Sequence, residues 1–312
     1  MKARTDKIKA VVILGPTASG KTALAVRLAR AYNGEVVSAD SRQVYRGMDI
    51  GTGKDLDEYA KSGEPVGHHL IDVVGPMEEF NLAKYQKLAW EAIQDIHRRG
   101  KLPIIAGGAG LYLQAIVDGY ELSEGGPDKG KRAELESLGK DELFSRLHGL
   151  KPEFADKLNN SDRNNPRRLV RYLEIFSTDA KPAGKKTPDA DFLLIGLDVD
   201  DGEMRERIRS RILRRLEEED MAGEVDRLHD AGVDWKRLAS FGLEYRFISY
   251  YLTGKLEYDE MVEKLSDASY RFGKRQKTWF RRWEKQGRKI WWAKSQDEAE
   301  RMTREWLMNR TS

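Results

Sequence analysis

The chain has 312 residues, with 55 Lys or Arg against 52 Asp or Glu and no cysteine. Without thiols it has no disulfide, thiolate nucleophile or zinc–thiolate site, and no run approaches the roughly 18 apolar residues that a membrane span needs. With 39% hydrophobic and 34% charged residues and a mean hydropathy of −0.68, it reads as one large globular domain or two modest ones, expected in the cytoplasm.

The first residues are basic and then apolar, as in a secretory signal. That apolar stretch runs straight into a glycine-rich loop, however, so it reads as a buried first strand over 10–14. The loop GPTASGKT and a helix from Thr22 to about Tyr32 follow. Residues 35–39 form a second strand ending at Asp40. Over 81–99, Leu82, Tyr85, Leu88, Ala89, Ala92 and Ile96 recur at helical spacing, and Gly100 stops the helix. Residues 103–106 are a third strand, ending in GGAG. Short apolar runs alternating with amphipathic segments imply βαβ units and a parallel sheet.

Beyond this point the character of the chain changes. Residues 119–130 are polar and glycine-rich, 141–177 read as wholly helical, and 181–191 are a loop rich in Pro, Gly and Lys. The continuous apolar run 192–199 predicts a strand covered on both faces. From about Glu203 the chain is mostly helix. Ser295 with Glu298 forms a capping box for a last helix, with Ala299, Met302 and Trp306 on one stripe.

Gly15, Pro16, Thr17, Ala18, Ser19, Gly20, Lys21 and Thr22 fit G-x-x-x-x-G-K-[ST] between a strand and a helix. In that context the backbone N–H groups and the helix N-terminus wrap phosphate oxygens. Lys21 adds a point charge, and the Thr22 hydroxyl is placed to ligate Mg²⁺. The expected architecture is α/β, a P-loop NTPase-like parallel sheet flanked by helices. The first part of the core covers 1–119, a helical insertion 120–190, and core completion with C-terminal helices 191–312. Asp40, at the carboxyl end of the neighbouring strand, points into the same crevice, where it is able to ligate Mg²⁺ or take a proton from a nucleophile.

From Arg271 to Lys289 there are nine Lys or Arg and one acid, Glu284. On a helix, Arg271, Arg275 and Arg282 form one ridge and Lys274, Arg281 and Lys285 the next, a polyanion footprint or a solvated face. Phe272, Trp279 and Trp283 form an apolar stripe beside them that reads as core. Arg163, Arg167, Arg168 and Arg171 flank a helix start at Asn164-Asn165-Pro166 and admit the same two readings. His68 and His69 point to opposite faces of a strand with no clustered ligands nearby, so packing rather than metal binding is expected.

Taken together, GPTASGKT, SADSRQVYRGMDIGTGK, HHLID, GGAGLYL, NNPRR and KRQKTWFRR, in that order over about residues 9–292, resemble the tRNA dimethylallyltransferases (tRNA isopentenyltransferases). The resemblance implies transfer of a dimethylallyl group from dimethylallyl diphosphate to the exocyclic amine of the adenosine 3′-adjacent to the anticodon. Asp40 falls on the family's general base. Lys21 and Thr22 fall on its diphosphate-binding positions, with Thr22 toward Mg²⁺. Arg211, in Arg207-Ile208-Arg209-Ser210-Arg211, falls on its diphosphate-binding arginine. Its tRNA-contacting stretches fall on Asp40, Ser41, Arg42 and Gln43; on Asn165, Pro166, Arg167 and Arg168; on the segment 240–245; and on Lys274, Arg275, Gln276, Thr278, Trp279 and Arg281. The partners implied are the tRNA anticodon stem-loop and dimethylallyl diphosphate, with no membrane and a monomeric protein.

The chain departs from the family pattern in three places. Ala109 stands where the family usually has threonine, Gly242-Leu243-Glu244-Tyr245 replaces the usual G-Y-K-E, and the insertion is short. Without the resemblance, a phosphate loop plus a strand-end aspartate suits a nucleoside or small-molecule kinase equally well. An isopentenyltransferase acting on free AMP or ADP is a nearer alternative, disfavoured by the basic helices after residue 200.

Overall fold

The computed structural model describes residues 7–61, 63–122, 129–177 and 184–309. They fall into two compact units, Gly119–Lys186 and the remainder.

The larger unit is built on a six-stranded sheet: β1 (Ile8–Leu14), β2 (Gly34–Ser38), β3 (His68–His69), β4 (Leu102–Gly107), β5 (Ala190–Leu197) and β6 (Trp291–Ala293). The strand order is β3-β2-β4-β1-β5-β6, with every pairing parallel. Because a parallel sheet carries helices on both faces, its central strand is apolar throughout, and Ala10 to Leu14 are fully buried. On one face Ala10, Val12 and Leu14 join a core with Tyr85, Ile93, Phe280 and Trp283. On the other, Val11 and Ile13 pack with Leu24, Leu28 and Ala299. The edge strands β3 and β6 span two and three residues, too few for periodicity to announce them.

Helices α1 (Lys21–Ala31), α2 (Leu56–Ala60), α3 (Leu82–Arg98) and α4 (Gly110–Val117) connect the first strands. Asn81 caps α3 by accepting from the Lys84 N–H. The smaller unit contains α5 (Lys129–Glu136), α6 (Lys140–Leu150), α7 (Pro152–Asp156), α8 (Asn160–Arg163) and α9 (Pro166–Phe176). Where the sequence predicted one continuous helical stretch over 141–177, there are four helices. Pro152 and Pro166 lack an N–H and push the preceding residue out of helical geometry. Asn159 and Asn165 cap the new starts, accepting from Asp162 N–H and Arg168 N–H. Leu143, Leu147, Leu169, Val170 and Leu173 close this unit's own core.

Helices α10 (Asp201–Glu217), α11 (Met221–Asp230), α12 (Trp235–Ser240), α13 (Leu243–Leu252) and α14 (Tyr258–Lys285) follow β5, and α15 (Gln296–Met308) ends the described chain. Ile208, Ile212, Tyr245, Ile248, Met261 and Leu265 from this group surround Val44 and Met48, fixing the segment after β2. Ser295 Oγ accepts from Glu298 N–H at the start of α15, while the Glu298 carboxylate reaches back to Lys294 N–H. Among the described residues, no helix is long and apolar enough to cross a membrane.

Glu35 anchors β2, the strand that delivers Asp40. Its nearly buried carboxylate meets Arg99 at 2.5 Å, Lys101 at 2.8 Å and His69 Nε2 at 2.8 Å. Hydrogen bonds from Arg99 hold its pKa well below the usual carboxylate range, and Lys101 and His69 add to the effect against the cost of burial. A depressed carboxylate contributes stability that is complete above its unfolded pKa, about 4.3, and is lost as pH falls below it. Denaturant titration of Glu35→Gln should therefore show lower stability than wild type at pH 7 and a smaller loss between about pH 5 and pH 3.

Candidate active site

Parallel pairing brings the carboxyl ends of β1, β2 and β4 to one edge of the sheet, where ligands of open α/β folds bind. There the phosphate loop, Asp40 and the Gly107-Gly108 turn line one cavity of about 460 Å³. Ala18 and Gly20 adopt left-handed backbone, φ 61° and 84°, to curl the loop over the start of α1. Gly15 makes a close approach, since a Cβ there would lie 2.7 Å from the Leu197 carbonyl. Lys21 Nζ donates to Pro16 O at 2.6 Å, and Arg211 Nη2 donates to Thr17 Oγ1 at 2.7 Å. Thr22 lies one residue further along α1, on the same cavity wall.

This end of the cavity is crowded with positive charge. Burial, with Arg211 close by, pulls the Lys21 pKa down to about 8 against the opposing effect of Asp40 and Asp55. Burial and the neighbouring Arg215 likewise work against the Arg211 charge, although a guanidinium remains protonated at any working pH. Arg211 Nε is buried without a hydrogen-bond partner. Desolvated cations with an unmet donor favour an anion in the cavity.

Asp40 lies half-buried beside this cluster. Its Oδ1 accepts from the Arg42 N–H at 2.9 Å. Arg42 in turn pairs with Glu244 at 2.7 Å. Burial opposes the Arg42 charge, but Glu244 and Asp40 outweigh it and raise its pKa. Gln43 receives a bond from Ser38 Oγ and donates to Gly53 O, at 2.7 and 2.8 Å. Of the predicted stretch, Asp40, Arg42 and Gln43 line the cavity and Ser41 is exposed. The rings of Tyr85 and Tyr112 lie 4.2 Å apart, tilted by 31°; burial raises both pKa values, followed by Tyr112 for Tyr85 and Tyr45 for Tyr112, and Asp40 raises both further.

The opposite wall, residues 49–55, is held by groups that sequence reasoning missed. The buried Glu224 carboxylate accepts from the N–H groups of Asp49, Ile50 and Gly51 at 2.8, 2.7 and 3.0 Å, and from Tyr245 Oη at 2.6 Å. Lys54, 1% exposed, donates to Tyr45 O and pairs with Asp49 and Asp72. Arg215 pairs with Asp55 at 3.0 Å. Glu224 and Arg215 meet wall partners far away in sequence, so no motif exposes them; Lys54 ends the SADSRQVYRGMDIGTGK motif, which shows the lysine but not its burial or its pairs. The replacement Gly242-Leu243-Glu244-Tyr245 therefore supplies two wall contacts, Glu244 to Arg42 and Tyr245 to Glu224.

On α14, Lys274, Arg275, Thr278 and Arg281 are exposed as one outward face, with Lys274 paired to Asp201. Gln276 faces the other way. It is 7% exposed, accepting from Thr17 N–H at 2.8 Å and donating to Gly108 O at 2.9 Å. Thr17 N–H is thus committed to Gln276 rather than to phosphate. Trp279 packs against Gly110, Trp283 is buried in the core, and Phe272 lines the cavity. Within the smaller unit, Asn165 and Pro166 start α9, Arg168 pairs with Asp162, and Arg167 is exposed. His69 contacts Glu35, and among the described residues no group of three or more His, Asp or Glu is arranged around a metal position.

A family model described as IPP transferase matches residues 43–283, and one described as isopentenyl transferase matches residues 8–66. The chain is 48% identical to a tRNA dimethylallyltransferase 2 of Pelobacter propionicus, covering 90% of this chain and 88% of that one. It is 45% identical to a tRNA dimethylallyltransferase 1 of Geotalea daltonii, covering 90% and 89%. Among solved structures it resembles a full-length tRNA isopentenylpyrophosphate transferase from Bacillus halodurans, with TM-score 0.68, 35% identity and 96% of each chain covered. It also resembles a eukaryotic dimethylallyltransferase described as acting on tRNA, with TM-score 0.78, 25% identity, and 97% and 80% covered. Phosphate loop, strand-end aspartate and basic helix thus occur together in a chain that belongs to the tRNA dimethylallyltransferase family, a family of transferases.

Proposed function

We propose that this protein transfers a dimethylallyl group from dimethylallyl diphosphate to the exocyclic amine of the adenosine 3′-adjacent to the anticodon in tRNA. The observation that carries this reading is the placement of Asp40 and the Lys21–Arg211 cluster on one cavity. The acceptor amine is a weak nucleophile because its lone pair is conjugated with the ring, and diphosphate leaves only when its growing charge is neutralised. The nitrogen lone pair forms the bond to C1 of the prenyl group as the C1–O bond breaks. The amine proton passes to the Asp40 carboxylate, and the electron pair of the broken bond leaves on diphosphate. Lys21, Arg211 and the loop N–H groups other than that of Thr17 oppose the developing negative charge.

The donor set also fits Mg²⁺, which binds through one or two protein oxygens plus phosphate oxygens and water. The Thr22 hydroxyl would hold it, adding positive charge beside the leaving oxygens. The acceptor base reaches the cavity only after leaving its stack, at a cost of a few kcal/mol. Single-stranded RNA loops permit this, and the outward face of α14 suits their backbone.

Asp40→Ala should lose at least about 100-fold in turnover while still binding tRNA, because a positioned base contributes roughly 10²–10⁴-fold. A variant with near-normal prenyl transfer to undermodified tRNA, assayed with AMP and ATP as competing substrates, overturns the assignment.

Diphosphate binding should draw a proton onto Lys21. In the free enzyme this amine titrates at about 8, and a bound anion raises it. Calorimetry in buffers of different ionisation enthalpy should show proton uptake near pH 8 that vanishes below about pH 6.5, with affinity falling as pH rises.

Arg275→Ala should weaken tRNA binding and reduce the salt slope by about one. Lys274→Ala should do less, because Asp201 already neutralises part of that charge. A salt slope unchanged by both substitutions overturns the footprint.

A further inference from the structure

Gln276 lies within the basic run of α14 but not on its exposed face. We propose that it is a positioning residue, whose single amide sets the separation between the loop that holds the leaving diphosphate and the turn that holds the base. This inference rests on the prenyl-transfer reading above.

The two hydrogen bonds define the arrangement. The amide oxygen accepts from Thr17 N–H at 2.8 Å, and the amide nitrogen donates to Gly108 O at 2.9 Å. Reversing the amide would set donor against donor and acceptor against acceptor, so both bonds are made in one orientation only. The fit is close on each side. A Cβ at Gly108 would lie 2.2 Å from Gln276 Nε2, and Gly273, one turn earlier on α14, leaves space filled by Met204 and lies beside Thr17. A Cβ at Gly273 would lie 2.8 Å from Met204 Sδ, so the glycine lets α14 close on α10 there, while Thr17 Cγ2 sits at ordinary contact distance, 3.5 Å.

From Gly108 the connection continues to the base. A Cβ at Gly107 would sit 2.1 Å from the Ala39 carbonyl. Ala109 N–H donates to Ala39 O at 3.3 Å, and Ala39 N–H donates to Ala106 O at 2.8 Å. Asp40 is the next residue. On the other side, Thr17 is pinned twice, through its backbone by Gln276 and through its hydroxyl by Arg211. The phosphate loop and Asp40 thus follow separate strands, β1 and β2, and Gln276 is a side-chain bridge between the turns that follow β1 and β4. In-line transfer tolerates little error in that spacing, since a misplacement of about 1 Å costs about 100-fold.

Gln276→Met keeps the length and removes both bonds. It should weaken binding of inorganic diphosphate about tenfold and lower kcat about 100-fold, with the Kd for tRNA unchanged within about twofold. Gln276→Glu gives a signature that a residue serving only stability does not. The new carboxyl, when protonated, accepts from Thr17 and donates to Gly108; when ionised, it faces the Gly108 carbonyl with a lone pair. Diphosphate affinity and kcat of Gln276→Glu, each relative to wild type at the same pH, should recover as pH falls from 8 to about 5.5.

Loss of tRNA affinity with diphosphate binding and kcat intact would make Gln276 an RNA contact and overturn the proposal. A Gln276→Glu profile parallel to wild type at every pH would overturn it too, and this holds even where Gln276→Met fails to fold. Wild-type protein that binds diphosphate but prenylates no tRNA sinks the reaction assignment instead. The bridge is then judged by diphosphate binding alone.

Discussion

Like charges resist being brought together away from water, yet Lys21, Arg211 and Arg215 gather at one end of a single cavity. The tension shows in the lowered Lys21 pKa and in the unpartnered Arg211 Nε. Much of the surrounding architecture serves to hold this arrangement. Asp55 takes up one arginine and Glu244 binds Arg42, while the Glu224 carboxylate and the buried Lys54 fix the turn opposite. A desolvated cluster of this kind favours an anion bound beside it, since the anion offsets the repulsion among the three cations.

The carboxylates around the cavity have separate jobs. Glu244 and Glu224 are nearly inaccessible and wholly engaged, one with a guanidinium and one with three backbone N–H groups and a phenol. Asp40 is more open and accepts one backbone bond. This leaves Asp40 with spare acceptor capacity, whereas Glu224 has little left.

What the sequence reveals depends on how local the cause is. The phosphate loop, the first strand and the run 192–199 follow from contiguous residues, and they appear in the structure within one to a few residues of their expected places. The helical insertion is read correctly in class but not in its breaks. Leu143, Leu147, Leu169 and Leu173 carry a convincing helical period across it, while Pro152 and Pro166 interrupt the backbone bonding on which the period depends. Of the side chains around the cavity, the motif residues are legible. Glu224 and Arg215 are not, and for Lys54 the motif shows the residue but not its burial, because each gains its meaning from a partner or turn that only folding supplies. Gln276 is a mixed case: its neighbours Lys274 and Arg275 suggest RNA, and only the helix's rotation shows that its own amide turns inward.

The strand order has a consequence for synthesis on the ribosome. β1 is made first and sits at the centre of the sheet, but its neighbours are β4 and β5, and β5 emerges only after the whole smaller unit. The helix that covers one face of β1 with Phe280 and Trp283 emerges later still. An emerging chain therefore displays a complete phosphate-binding motif long before β5 and α14 can brace it, and parallel long-range pairing of this kind forms slowly. The bond from Thr17 N–H to Gln276 forms only after α14 has emerged, near the end of translation. Truncated products should carry the most recognisable motif of the enzyme without the means to use it.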